Sequence, residues 1–194
     1  AREFIDDADK LSLAEVAAVA NAYMQFNCHS EDMLQALARQ ATDLLTGRSN
    51  SPSLPGGGDL DSDPACLAVL TKAFVAFKLN NAELFQAINA STVERVGDIP
   101  FAALSQVLAS FAETGHAFEA DVSFWEAVAA KVPEARMASL CPLLLAVGRL
   151  RLEEPSLREA LVKEVLAKLQ ETPAGELPAP LRARLEEGLP ALAQ

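Results

Sequence analysis

The sequence predicts an all-α fold, an α-solenoid of about four stacked helical hairpins with a C-terminal capping helix, and three observations carry that expectation. Composition is the first: 51% of the 194 residues are hydrophobic but only 6% are aromatic. Ala and Leu dominate, which suits close-packed helices better than strands rich in Val, Ile and aromatics. The second is a repeated apolar pattern, because LAEVAAVANAYMQFN (13–27), PACLAVLTKAFVAFK (64–78), FAALSQVLASFAETG (101–115) and MASLCPLLLAVGRLR (137–151) align column by column. The third is that each is followed by a second helical segment: EDMLQALARQATDLL (31–45), NAELFQAINASTVERV (81–96), ADVSFWEAVAAKV (120–132) and PSLREALVKEVLAKL (155–169). The repeating unit is therefore a helical hairpin. Its starts lie 51, 37 and 36 residues apart, and a period of roughly 20 to 50 residues is the signature of a solenoid.

The alignment fixes the first helices. Its columns are Val16, Leu67, Leu104 and Leu140; Val19, Leu70, Val107 and Leu143; Ala22, Ala73, Ser110 and Ala146; then Tyr23, Phe74, Phe111 and Val147. Steps of i, i+3, i+6 and i+7 keep these positions on one helix face. A small residue beside a large one lets a neighbouring helix approach at the small site and pack on the large one. The repeats span 12–46, 64–97, 98–133 and 134–170 of a single domain, 1–194.

The long first interval has a visible cause in GRSNSPSLPGGGDLDSD, residues 47–63. A stretch this rich in Gly, Pro, Ser and Asp buries too little apolar surface to offset its ordering entropy, so a flexible insertion is expected, with a partner-binding loop as the other reading. Start signals agree with the boundaries. Ser12 with Glu15 forms a capping-box pattern, Asp63 precedes Pro64 as an N-cap, and Glu154 with Pro155 opens another helix. Pro142 leaves two readings, a helix that starts later, near Ser139 or Cys141, or one that is kinked. Leu181, Leu185 and Leu189 in the segment 178–194 mark the capping helix.

Charge narrows the function classes. The net charge is −11, with the acidic excess mainly in 1–63 and 98–126. Phosphate recognition depends on a basic patch, so nucleic-acid binding is disfavoured. Cys28, Cys66 and Cys141 are widely spaced and odd in number, which argues against a disulfide framework and for a reducing compartment. The longest stretches free of Asp, Glu, Lys and Arg, such as Val16 to Ser30, fall short of the roughly 18 apolar residues a membrane span needs. No transmembrane segment is expected, although peripheral association with a membrane complex remains compatible. The polar, acidic start AREFIDDADK resembles no signal peptide, and a chain that opens at Ala1 without Met is expected to be a mature form after presequence removal or a fragment.

The repeated columns resemble the paired-helix repeats of organellar octotricopeptide and heptatricopeptide proteins, including those that carry a RAP domain and the related Fas-activated kinase-like mitochondrial proteins. The residues that carry the likeness are the pairs Ala22-Tyr23 and Ala73-Phe74, with Phe26 and Phe77 three positions on, and the helix openings Ser30-Glu31-Asp32-Met33-Leu34 and Asn81-Ala82-Glu83-Leu84-Phe85. The resemblance covers about residues 12–170. It implies an α-solenoid in a mitochondrion or plastid that binds organellar RNA or serves as a structural component of a large assembly. The acidic charge departs from the RNA-binding version, and no base-reading residue carries over.

No catalytic constellation is legible. Catalysis of this general kind needs a nucleophile, a base and an orienting group brought together. The histidines, His29 and His116, each stand at the end of a first helix, and Cys28 beside His29 cannot share its face. Metal-ligand spacings such as CxxC or HExxH are missing, and Gly56 to Gly58 lack the Lys and Ser or Thr of a phosphate loop. A non-enzymatic protein without a cofactor is expected.

The candidate partner contacts are cationic. Lys78 and Arg151 share a repeat position, Arg149 lies two residues before Arg151, and Lys72 lies about a turn and a half before Lys78. Equivalent positions in a solenoid align into a stripe that can meet phosphate or an acidic partner; ordinary surface solvation is the competing explanation. Gly115 and Asn27 interrupt the stripe in the other two repeats. The expected function is a scaffold or adaptor subunit that docks other protein subunits in a large organellar assembly such as a ribosome, respiratory complex or photosynthetic complex. The alternative is an organellar RNA-binding repeat protein acting in transcript processing or stability.

Overall fold

The computed structural model describes residues 8–48, 64–79, 81–150 and 155–171. Among these residues there are eight α-helices and no strand, as the composition predicts. They are α1 (Leu13–Gln25), α2 (Glu31–Leu45), α3 (Ala65–Ala76), α4 (Ala82–Glu94), α5 (Phe101–Thr114), α6 (Val122–Lys131), α7 (Met137–Arg149) and α8 (Pro155–Glu171). Two 3-10 turns, Ala8–Lys10 and Val132–Glu134, complete the list. The predicted capping helix at 178–194, the insertion at 49–63, Asp63 and Glu154 lie outside the described residues.

The chain divides into two compact units, Ala1–Arg95 and Val96–Gln194. In the first, α1 packs most extensively on α3, and α2 packs on α4. Contacts within the hairpins, α1 on α2 and α3 on α4, are smaller. The second unit repeats the scheme, with α5 on α7 and α6 on α8. Like helices therefore stack on like within each unit.

Burial explains why these segments settle as helices. Leu67, Leu70, Ala73 and Phe74 of α3 are fully buried, as are Leu104, Val107 and Phe111 of α5 and Leu140, Leu143, Ala146 and Val147 of α7. A fully buried Leu or Phe side chain contributes about 1.5–3 kcal/mol, far more than the few tenths by which helix propensities differ. Ser110 takes the small position in α5, and its hydroxyl donates to the carbonyl of Gln106 at 2.9 Å. Its burial is thus satisfied within its own helix. The second helices bury matching stripes, Met33, Leu34 and Leu37 in α2, Leu84, Phe85 and Ile88 in α4.

Local chemistry sets the ends. Ser12 accepts from the Glu15 N–H at 3.3 Å while Glu15 accepts from the Ser12 N–H at 2.9 Å, the reciprocal box that the sequence predicts. Asn81 and Asp121 cap α4 and α6 by accepting from the N–H groups of Leu84 and Phe124. Helix α3 begins at Ala65, one residue after Pro64. Helix α7 begins at Met137 and runs through Pro142, so the later start does not occur. Pro142 stands in its second turn, where it gives up the donor to the carbonyl of Ala138 and its ring crowds that oxygen.

Each unit carries a tie outside its repeat columns. In the first, the buried Gln40 donates to the carbonyl of Leu11 at 2.8 Å and holds the Ala8–Lys10 turn against α2. In the second, Lys131 donates to the carbonyls of Gly97 and Ile99, both at 2.8 Å. Phe118, from the loop between α5 and α6, is buried among Phe111, Phe124 and Trp125, with ring centroids 5.1 to 5.8 Å away. Edge-on and tilted ring pairs of this kind add to the area they bury.

Candidate functional site

The cationic column has a backbone explanation. Helices α1 and α3 both end in a Schellman motif: Asn27 N–H donates to Met24 O at 3.2 Å and Cys28 N–H to Tyr23 O at 2.9 Å. In the same way Lys78 N–H donates to Val75 O at 2.9 Å and Leu79 N–H to Phe74 O at 3.0 Å. The closing residue of such a motif adopts a left-handed conformation, and Asn27 has φ 50° and Lys78 φ 55°. Gly115, in the same column, has φ 74° and donates to Phe111 O at 3.0 Å. Asn, Lys and Gly thus share a dihedral requirement, which Gly meets freely, Asn tolerates and Lys meets under strain.

Of the predicted contact residues, Lys72 is exposed on α3 and Lys78 is exposed just past its end. Arg149 is exposed as the last residue of α7, in the second unit. Arg151 lies outside the described residues. His29 is exposed, with Nε2 3.1 Å from Asn27 Oδ1 and its ring edge-on to Phe77 at 5.4 Å, so it bridges the ends of α1 and α3. His116 follows the Gly115 turn and is half-buried. Arg48 pairs with Asp43 and Glu83, and the Glu83 hydrogen bond raises its pKa further. Exposed pairs of this kind contribute little to stability.

The feature that reading for charge missed is apolar. In α1, Val19, Ala22 and Tyr23 are only half-buried, although their counterparts Leu70, Ala73 and Phe74 in α3 are fully buried, and Phe26 is 77% exposed where its counterpart Phe77 is half-buried. Val19, Ala22, Tyr23 and Phe26 follow i, i+3, i+4 and i+7 and form one stripe. The side of α1 that is buried, Val16, Ala17 and Ala20, lies roughly a third of a turn away.

Among the described residues no group of His, Cys, Asp and Glu is arranged to hold a metal ion, and no helix is long and apolar enough to cross a membrane. Of the three cysteines, Cys28 is exposed, Cys66 half-buried and Cys141 buried. No protein-family model matches the chain, and no curated protein matches it.

Proposed function

We propose that this chain is a helical-repeat scaffold, an α-solenoid subunit that docks other proteins within a large organellar assembly. The observation that carries it is the column of Asn27, Lys78 and Gly115, whose common property is a left-handed backbone. A ladder of phosphate contacts needs cations at equivalent positions, and here those positions serve helix termination. Net charge −11 adds a long-range penalty for any polyanion. The stacking of like helices within each unit supports the solenoid, and the octotricopeptide-like columns support a mitochondrial or plastid setting. Apolar surface left open on α1 supports protein rather than nucleic acid as the partner.

Native purification at two salt concentrations, with identification of co-migrating components, tests this. A scaffold keeps its protein partners when salt is raised. An RNA binder loses affinity steeply, by about a factor of 10³ or more between 50 and 200 mM salt for six or more phosphate contacts. A chain that migrates alone and crosslinks efficiently to RNA overturns the proposal in favour of the transcript-processing reading.

A further inference from the structure

The geometry points to the open stripe of α1, Val19, Ala22, Tyr23 and Phe26, as a docking site for an amphipathic helix with basic flanks, supplied by a partner protein. This rests on the scaffold reading and assigns it a surface. The first argument is continuity with the stacking already described. Val19, Ala22 and Tyr23 occupy the columns that are buried in α3, α5 and α7, so α1 repeats a helix-packing surface and leaves it partly open. The 3-10 turn Ala8–Lys10 lies on α2, with Gln40 holding Leu11 there. That turn lies on the other helix of the hairpin, and the stripe on α1 is half-buried at Val19, Ala22 and Tyr23 and open at Phe26.

The chemistry of the occupant follows from shape and charge. A small residue, Ala22, between Val19, Tyr23 and Phe26 reproduces the small-beside-large pattern that receives a helix ridge. Aromatic anchors such as Tyr23 and Phe26 dominate interfaces of this kind. Between residues 11 and 38 the charged residues are Glu15, Glu31 and Asp32, all acidic and all exposed. Glu15 stands on the stripe's own face, one turn before Val19, and Glu31 and Asp32 open α2 five and six residues after Phe26. Lys78, exposed at the neighbouring end of α3, offsets part of that charge at the Phe26 end, so a helix with Lys or Arg beside its apolar face is matched most strongly at the Glu15 end. A second copy of this chain would bring its own Glu15, Glu31 and Asp32 to the contact, and like charges there oppose pairing.

The protein has a single tyrosine, Tyr23, so fluorotyrosine incorporated into the full chain gives one ¹⁹F resonance on the stripe itself. The probe is a synthetic helix of about 18 residues with Leu at i, i+3, i+4 and i+7 and Lys on its flanks. Saturable movement of that resonance is expected, with affinity falling at least about tenfold in Phe26→Lys and in Val19→Glu, and also when the peptide lysines are replaced by Glu. Phe26 is exposed, so Phe26→Lys leaves the fold intact, which far-UV circular dichroism checks.

Each of the following results overturns the inference. One is an unmoved resonance, or equal movement by a peptide with its leucines scrambled. Another is a resonance that shifts on dilution without peptide, which assigns the stripe to a second copy. The last is peptide binding gained when Phe4 and Ile5 are both changed to Ser, which assigns it to the chain's own first residues. If Phe26→Lys leaves the co-migrating proteins of the native purification unchanged, the scaffold stands and only this surface falls.

Discussion

At the scale of single residues, Lys78 shows how a sequence column can carry a property that residue identity does not display. Its equivalence to Asn27 and Gly115 is real, but the shared property is a positive φ. Identity is visible in a sequence and dihedral angle is not, which is why the column looked like an interrupted stripe of charge. The strain has a measurable size. A non-glycine residue in the left-handed region costs roughly 1–2 kcal/mol, partly offset in a glycine variant by the greater entropy of the unfolded chain. Lys78→Gly is expected to stabilise the protein by about 0.5–1 kcal/mol in urea unfolding. Gly115→Ala should destabilise it by about 1 kcal/mol, and since a Cβ there meets nothing within 4 Å the whole effect is backbone strain. A loss of stability in Lys78→Gly would return that side chain to a contact role.

At the scale of elements, the start signal that falls wholly on described residues was legible because caps are chemical. The Ser12–Glu15 box is present as read, and Asp121 caps α6 by accepting from Phe124 N–H and Ser123 Oγ at 3.0 and 2.8 Å. Ser12→Ala should cost about 1 kcal/mol of stability. Both carboxylates are held below their ordinary pKa: Glu15 by the Ser12 backbone N–H and then its hydroxyl, Asp121 by the Phe124 N–H and then Ser123. A depressed folded-state pKa means stabilisation that is complete above the unfolded pKa and disappears as pH falls through the folded one. Thermal midpoints should therefore drop as pH is lowered from about 5 into the range below ordinary carboxylates. The drop should be shallower in Asp121→Asn, and an unchanged slope would show that this cap contributes nothing to the acid response. Less legible were features outside the repeat columns. Lys131 binds two carbonyls of the 97–99 segment, and no periodicity in the sequence marks it. Pro142 is a breaker by rule, yet buried neighbours at Leu140, Cys141, Leu143 and Leu144 carry α7 through it.

At the scale of the molecule, the helix count and order could be read because like helices stack on like within each unit, so their columns share one packing problem and converge on similar residues. Phe118 could not be read in this way. It belongs to a loop without a counterpart, yet it is buried against Phe111, Phe124 and Trp125. Each unit has its own core and, conveniently, its own reporter: Tyr23 in the first unit and Trp125 in the second are the protein's single tyrosine and single tryptophan. Truncating a buried Phe to Ala removes its transfer energy and leaves a cavity, at a cost of about 3–5 kcal/mol. Phe118→Ala should thus lower the urea midpoint followed by Trp125 emission, and Phe74→Ala the midpoint followed by the ¹⁹F resonance of fluorotyrosine at Tyr23. The two losses should be comparable, because a loop phenylalanine enclosed by three rings has no more freedom to relax than one buried in a stacked helix. A much smaller loss at Phe118 would mean that its loop can collapse into the space. The core of the second unit would then rest on the helix columns alone.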